Sequence, residues 1–384
     1  MSVTAAAGFR AAGVAAGLKE SGARDVALVL NDGPSDVAAA VFTSNRFKAA
    51  PVLWSQQAMV DGRLRAVVLN AGGANACTGP AGFADTHRTA EQVALALDVG
   101  AGDVAVCSTG LIGERLPMTA LLGGVDAASA QLSTDGGENA ADAIRTTDTV
   151  SKQERFRHAD GWTVGGMAKG AGMLAPGLAT MLCVITTDAL VDAATLDAAL
   201  REATRRTFDR LDSDGCMSTN DTVLALASGA SGITPDPADL AGAVEHVCKH
   251  LAWQLLADAE GATKEITIDV GGAATEAEGV DVARAIARSN LLKCALYGND
   301  PNWGRVLAAI GTTSARFDPD LVDVDINGIG VCVRGAAGVD RSHVDLTDRH
   351  VHIGVRLNAG NSGATIWTND LSHAYVEENS AYSS

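Results

Sequence analysis

A dozen short runs rich in β-branched residues recur along the 384-residue chain, and they constrain its fold more than any other feature. They read "DVALVL", "VAAAVFT", "RAVVLN", "DVAVCSTG", "WTVGGMA", "TMLCVITTD", "TVLALASG", "EITIDV", "VDVDI", "IGVCVRG", "HVHIGVRL" and "ATIWTND". Runs this short, bounded by turn residues, predict strands. In "INGIG" (326–330) Asn327 and Gly328 stand between two alternating runs. A type I′ turn needs positive φ at both central residues, so an antiparallel hairpin is expected there. Two long amphipathic segments break the strand pattern. In 192–208 Asp192 is placed to cap a helix, with Leu196, Leu200, Ala203 and Phe208 near helical spacing. In 236–261 Asp236 caps, Pro237 occupies the first turn, Leu240, Val244, Val247, Leu251 and Leu255 share a face, and Gly261 is the expected stop. Each apolar helix face needs a sheet to cover it. The expected class is therefore α+β: a layered sandwich of mixed and antiparallel sheets flanked by helices. No solenoid repeat, low-complexity tract or Pro/Ser-rich linker marks a domain border.

Composition narrows the function classes. A formal net charge of −17 and 4% aromatic residues oppose binding to nucleic acid or to an anionic membrane surface, both of which need a cationic footprint. No apolar run approaches the roughly 18 residues of a membrane span. The opening "MSVTAAAGFRAAGVAAGLKESG" is broken by Arg10 and glycines before a signal-like region can form. Seven scattered cysteines with no CxxC pair fit reduced thiols, so a cytoplasmic protein is expected.

Several motifs fail on inspection. "GAGMLA" (170–175) satisfies GxGxxA, but only residues 176–179 separate it from the next strand-like run, too few for the helix of a dinucleotide-binding turn. His246 and His250 sit one helical turn apart, and His350 and His352 share a strand face; neither pair has a third ligand nearby, so no metal is expected. No GxSxG nucleophile elbow occurs.

What remains is hydroxyl chemistry without a histidine partner. A strand is expected to open on Thr180 and run to Asp188, directly behind "APGLA" (175–179). A threonine hydroxyl needs an adjacent base, and a threonine that begins a chain carries one in its own α-amine, with a reference pKa of about 7.7 to 8. Thr180 acquires that amine only if the Ala179–Thr180 bond is cut. Pro176, Gly177 and the small Ala179 suit a bent, accessible segment, though the same residues also describe an ordinary Pro-Gly turn into a strand. In "CSTGLIGERLPM" (107–118), Ser108, Thr109 and Gly110 follow a strand-like run where backbone N–H groups and a hydroxyl can converge on an oxyanion. Lys169 stands among glycines at the end of "WTVGGMAKG". Glu260 falls in the expected last turn of its helix, where the macrodipole disfavours an anion.

At these residues the chain resembles the ornithine acetyltransferases, or glutamate N-acetyltransferases, of the cyclic arginine pathway. The resemblance covers nearly the whole chain. It rests on "AVFTSNRFKAAPV" (40–52), "NAGGANACTG" (70–79), "STGLIGERLPM" (108–118), "TTDT" (146–149), "MAKGAGMLAP" (167–176), "ATMLCVITTDA" (179–189), "STNDT" (218–222), "DAEGATK" (258–264), "GNDPNWGR" (298–305) and "EENSAYSS" (377–384). It implies a precursor that cuts itself into chains 1–179 and 180–384, which stay folded as one globule and pair into a heterotetramer of two chains of each kind. It also implies Thr180 as nucleophile, Thr109 and Gly110 as oxyanion hole, and Thr147, Lys169, Thr180, Glu260, Asn379 and Ser384 as the substrate-binding set. The implied reaction is ping-pong transfer of acetyl from N2-acetyl-L-ornithine to L-glutamate. No bound cofactor is implied, and acetyl-CoA is a second donor in some members. Asn379 and Ser384 lie in a terminal segment that by itself would be expected to fray. The chain departs from the family pattern at Gly177-Leu178, at "NAGGAN", and at Cys216-Met217 ahead of "STND". Two other readings stay open: an autoprocessed aminopeptidase or amidase, with water as acceptor, and a nucleotide-binding or structural α/β protein whose chain stays whole.

Overall fold

A computed structural model describes residues 2–175 and 181–381. Fifteen strands form three sheets among the described residues. Numbered along the chain, β1 (Phe9–Val14), β2 (Val26–Asn31), β4 (Ala66–Ala71) and β5 (Val104–Thr109) make the first, in that order. β3 (Val37–Phe42), β9 (Thr222–Ala227), β8 (Leu182–Thr187), β7 (Thr163–Lys169) and β6 (Lys152–Arg157) make the second. The third is β13 (Ala336–Ala337), β12 (Ile329–Val333), β11 (Asp323–Ile326), β14 (His350–Arg356), β10 (Glu265–Ala273) and β15 (Ser362–Asn369). The class is the expected α+β, and each of the three sheets holds one parallel pair among antiparallel ones.

Period-2 alternation explains how the first two sheets stack. In β4, Val67 and Leu69 face one core while Ala66 and Val68 face another. In β8, Leu182 and Val184 join Val67 and Leu69, and Cys183 and Ile185 point the other way. These sheets thus pack face to face through one shared core, and each turns its other face to helices. α2 (Gly79–Leu97) and α3 (Met118–Ala130) cover the first sheet. α5 (Ala193–Arg206) and α6 (Pro237–Ala257) cover the second. α1 (Ala50–Ala58) and α4 (Gly137–Ala143) close the edges of the sandwich. The third sheet has its own core, covered by α7 (Glu276–Ala287), α8 (Asn290–Tyr297) and α9 (Trp303–Ile310). α10 (His373–Ala381) ends the described chain.

Local sequence signals account for most boundaries. Asp192 caps α5 by accepting from Thr195 N–H, and Asp236 caps α6 by accepting from Ala238 N–H, with Pro237 at the first position. Asn327 and Gly328 have φ of 48° and 78°, the pair of positive values that a type I′ hairpin requires.

Two expectations are corrected. α6 ends at Ala257, short of Gly261, so Glu260 lies in a turn beyond the helix and no macrodipole acts against it in the way expected. β8 begins at Leu182 rather than at Thr180. Met181 is held outside the ladder because its N–H donates to the Asp221 side chain (3.1 Å) instead of to a neighbouring strand. Thr180, Ala179 and Ser384 fall outside the described residues.

Among the described residues no helix is long and apolar enough to cross a membrane, and all seven cysteines are free thiols. The His246 and His250 rings are in contact, with centroids 4.1 Å apart and planes tilted by 36°, and His250 Nδ1 lies 2.8 Å from the His246 carbonyl. On β14, His352 pairs with Asp269 (2.9 Å).

Candidate active site

Strand ends converge where β5 of the first sheet and β7 of the second finish side by side. Thr109 closes β5 and is 4% exposed; Lys169 closes β7 and is 2% exposed. Lys169 Nζ donates to Thr109 Oγ1 (3.2 Å) and to Thr146 Oγ1 (2.6 Å). An ammonium has donors only, so the Thr109 oxygen accepts here and its own proton is left for another acceptor. A charge-assisted bond of this kind also polarises the hydroxyl and strengthens it as a donor. The loop lysine of the sequence is thus a buried cation aimed at the oxyanion candidate.

Gly110, next to Thr109, has φ of +132°, and a Cβ on it would lie 2.5 Å from the Gly73 backbone nitrogen. Only glycine fits, and the reason lies in the "NAGG" loop: the N–H groups of Gly72 and Gly73 both donate to the Thr109 carbonyl (3.0 Å each). The Ser108 hydroxyl is turned away, donating to Asn70 Oδ1 (2.6 Å), so it adds no third donor to the nest. Burial pushes the Cys107 thiol up to about 12, which keeps it protonated and inert at neutral pH.

Asp148 holds the Lys169 charge in place, and residue patterns did not single it out. It lies 4.0 Å from Lys169 Nζ, accepts from Lys152 Nζ (2.6 Å), and takes the N–H groups of Thr146 (3.0 Å) and Gly170 (2.6 Å). Lys152 also pairs with Asp258 (2.6 Å), whose carboxylate accepts from Thr149 N–H (3.0 Å). Burial lowers Lys169, and Asp148 opposes that shift. For Asp148 burial works against the charge, yet Lys169, Lys152 and the hydrogen bonds outweigh it and hold the carboxyl well below its usual range. The signal for this group was the "TTDT" run itself: an Asp between hydroxyls can bond its own loop backbone.

These groups lie one hydrogen bond behind a cavity of about 1020 Å³ whose walls include Gly110, Thr146, Thr147, Glu260 and Asn379. The Glu260 carboxylate sits over Gly172, where a Cβ would approach its oxygens to 2.6 Å, and Glu260 N–H donates to the Ala171 carbonyl (3.0 Å). Asn379 Nδ2 donates to Glu260 Oε2 (3.0 Å). Residues 373–381 are therefore helical and tied to the wall at Asn379 instead of frayed, while Ser384 lies outside the described residues. The structure brings together Thr109, Gly110, Thr147, Lys169, Glu260 and Asn379. Both charge signs line the cavity, with Lys19, Arg115 and Arg349 set against Glu20, Glu114, Asp258, Glu260 and Glu378. Such a lining suits a small ligand that itself carries both signs. A second groove of about 690 Å³, between α5, α6 and the third sheet, is lined by Arg205, Arg206 and Arg210, each paired with a glutamate, as in Arg205–Glu276 (2.7 Å), and by Arg356.

The Asp148 cluster makes stability depend on acid. Its folded pKa lies below its unfolded value of about 4, so the stabilisation is complete above that pH and is lost progressively as pH falls below it. Denaturant melts between pH 7 and pH 3 should show this fall, and Asp148→Asn should flatten it while lowering stability at pH 7. Lys152→Met, which strands the Asp148 and Asp258 carboxylates, should cost about 3–5 kcal/mol at pH 7.

Comparison with known proteins places the chain in one group. The model of the ArgJ family matches residues 10–384. The arginine biosynthesis bifunctional protein ArgJ of Streptomyces coelicolor is 66% identical over the whole of both chains, and that of Streptomyces avermitilis is 65% identical, again end to end. Among solved structures, the ornithine acetyltransferase of Mycobacterium tuberculosis complexed with ornithine is 64% identical; the match covers 47% of this chain and 96% of that one, with a TM-score of 0.46.

Proposed function

Because the chain belongs to the ArgJ family, we propose that it moves an acetyl group from N2-acetyl-L-ornithine to L-glutamate through an acetyl ester on Thr180. It is an acetyltransferase of arginine biosynthesis. In the proposed scheme the precursor cuts its own Ala179–Thr180 bond, giving chains 1–179 and 180–384. The Thr180 hydroxyl oxygen then attacks the acetyl carbonyl carbon while the freed α-amine takes the hydroxyl proton. Negative charge develops on the former carbonyl oxygen, where the Thr109 O–H and Gly110 N–H stabilise it. Collapse breaks the C–N bond, the ornithine nitrogen leaves with the proton, and acetyl-Thr180 remains. The amine of glutamate attacks that ester and gives a proton to the Thr180 α-amine; the bond between the acetyl carbon and the Thr180 oxygen breaks, that oxygen takes the proton, and N-acetylglutamate departs.

The observation that carries this reading is the Lys169–Thr109 hydrogen bond, a buried cation that readies a hydroxyl donor beside Gly110. Thr147, Glu260, Asn379 and Ser384 orient the substrates. Glu260, with Asn379 bonded to it, offers an anion to the side-chain ammonium of ornithine. Both substrates are amino acids bearing an α-carboxylate, so one site serves them in turn. Acetyl-CoA as a further donor, used by some members, and a tetramer of two chains of each kind are both what the resemblance to the ornithine acetyltransferases implies. A cytoplasmic setting agrees with seven free thiols.

Supplying N2-acetylornithine with and without glutamate separates this reading from a hydrolase. N-acetylglutamate formed at the rate at which ornithine appears is the expected result. Free acetate formed equally fast without glutamate would make water the acceptor and overturn it.

A further inference from the structure

The value of a backbone N–H to an oxyanion lies in where it points, and for Gly110 that direction is set from the neighbouring strand. The Thr109–Gly110 peptide is planar and trans, so the Thr109 carbonyl and the Gly110 N–H point in opposite directions. The carbonyl is gripped by the N–H groups of Gly72 and Gly73 (3.0 Å each), which occupy both of its lone pairs. On the other side, the Gly110 N–H makes no hydrogen bond among the described residues, and Gly110 forms part of the cavity wall. The two gripping donors sit in a turn with little stiffness of its own. Gly72 has φ of +115°, and a glycine pair retains more backbone freedom than any other.

Asn70 supplies the missing stiffness. It is 2% exposed and is the register partner of Ser108 where β4 and β5 run parallel. Its Nδ2 donates to the Gly73 carbonyl (3.2 Å), closing the turn 70–73, and its Oδ1 accepts from the Ser108 hydroxyl (2.6 Å). One buried amide therefore joins the turn that carries the two N–H donors to the strand that carries their acceptor. Asn220, just before β9, steadies the same strand end, donating through Nδ2 to the carbonyls of Ser108 (2.8 Å) and Ala74 (2.6 Å), the residues next to Thr109 and Gly73. Asn70 is not among the residues that line the cavity, so it reaches the reaction only through this chain of bonds.

We propose that Asn70 is a positioning residue for the oxyanion hole: by closing the 70–73 turn against β5 it holds the Gly72 and Gly73 N–H groups on the Thr109 carbonyl, and the planar peptide then directs the Gly110 N–H into the cavity. The proposal rests on Gly110 being an oxyanion donor. No bond to Asn70 is made or broken during acetyl transfer; its amide acts on the rate through the direction of one N–H.

The test uses the full-length chain with Asn70→Leu, Ser108→Ala, the two combined, and Thr109→Val, read by denaturing electrophoresis, thermal melting, and kcat and KM for both substrates. Leucine keeps the branched shape of asparagine but neither donates nor accepts. With the chain folded and cut, Asn70→Leu should lower kcat about 10- to 100-fold, part of the effect of losing an oxyanion donor outright, at unchanged KM. Ser108→Ala, which leaves the Asn70–Gly73 bond in place, should keep kcat within about threefold of wild type. The combined variant removes the hydroxyl that Asn70→Leu leaves stranded, so it should recover melting temperature but not kcat. Recovery of kcat together with stability would make Asn70 a packing residue and overturn the proposal; so would wild-type kcat in Asn70→Leu, a loss carried by KM, or an equal loss in Ser108→Ala. If Asn70→Leu does not fold or stays whole, the combined variant decides by the same fall in kcat, and failure of both to fold and be cut assigns Asn70 to folding or to the cut and overturns the proposal too. Wild-type kcat in Thr109→Val would instead remove the oxyanion reading itself, whatever Asn70 does.

Discussion

Thr180→Ala should yield a single uncut 384-residue chain with no measurable acetyl transfer. The substitution removes one hydroxyl, and the scheme asks that hydroxyl to act twice. It first attacks the Ala179 carbonyl, shifting the acyl chain from nitrogen to oxygen and so freeing the amine, before water cleaves the ester and restores the hydroxyl; it then attacks the donor's acetyl group. Loss of a nucleophile that works as one unit with its base costs on the order of 10⁶ in kcat elsewhere. Here the base is lost as well, because without the cut the nitrogen of residue 180 remains an amide and has no basic lone pair. Denaturing electrophoresis with intact mass reads the first effect, and ornithine release reads the second. Thr180→Ser, which keeps a hydroxyl, should still be cut and retain partial activity.

Thr109→Val should be the next most damaging change. Valine matches threonine in shape, so the end of β5 is preserved and only the O–H donor is lost. Removal of one oxyanion donor costs about 2.7–4 kcal/mol in barrier, or 10²–10³ in kcat, with KM little changed because the charge it meets exists only in the transition state. The same change takes away an acceptor from Lys169 Nζ, leaving that buried ammonium with Thr146 and the more distant Asp148. A modest loss of stability should therefore accompany the loss of rate. A rise in KM at constant kcat would assign Thr109 to ground-state binding instead.

Much of this site was legible because its residues stand at strand ends, where short β-branched runs stop at glycine. Thr109 closes "DVAVCST" before Gly110, and Lys169 closes "WTVGGMAK" before Gly170. The layered α+β class followed from alternation that divides each strand between two cores, and the helix caps at Asp192 and Asp236 followed from their side chains. What local pattern could not supply was pairing across the chain. Asp148 and Lys152 gain meaning only once β6 and β7 bring them to Lys169, and Asp221 only once β9 lies beside β8. The end of α6 was misread for a related reason. Nothing in "LLADAEG" stops a helix before Gly261, but Asp258 is drawn into the Lys152 pair and Glu260 N–H into a bond with Ala171, so the chain leaves the helix early. The strand expected from Thr180 begins at Leu182 because a side chain, Asp221, replaces the ladder partner of Met181.

The acetyl ester is the central claim, and intact mass tests it most directly. The purified protein should separate under denaturing conditions into chains 1–179 and 180–384. After brief exposure to N2-acetylornithine without glutamate, the 180–384 chain alone should gain the mass of one acetyl group, mapped to Thr180, and lose it when glutamate is added. An uncut protein that transfers acetyl groups, or a cut protein whose 180–384 chain never gains that mass while turnover proceeds, would contradict the account.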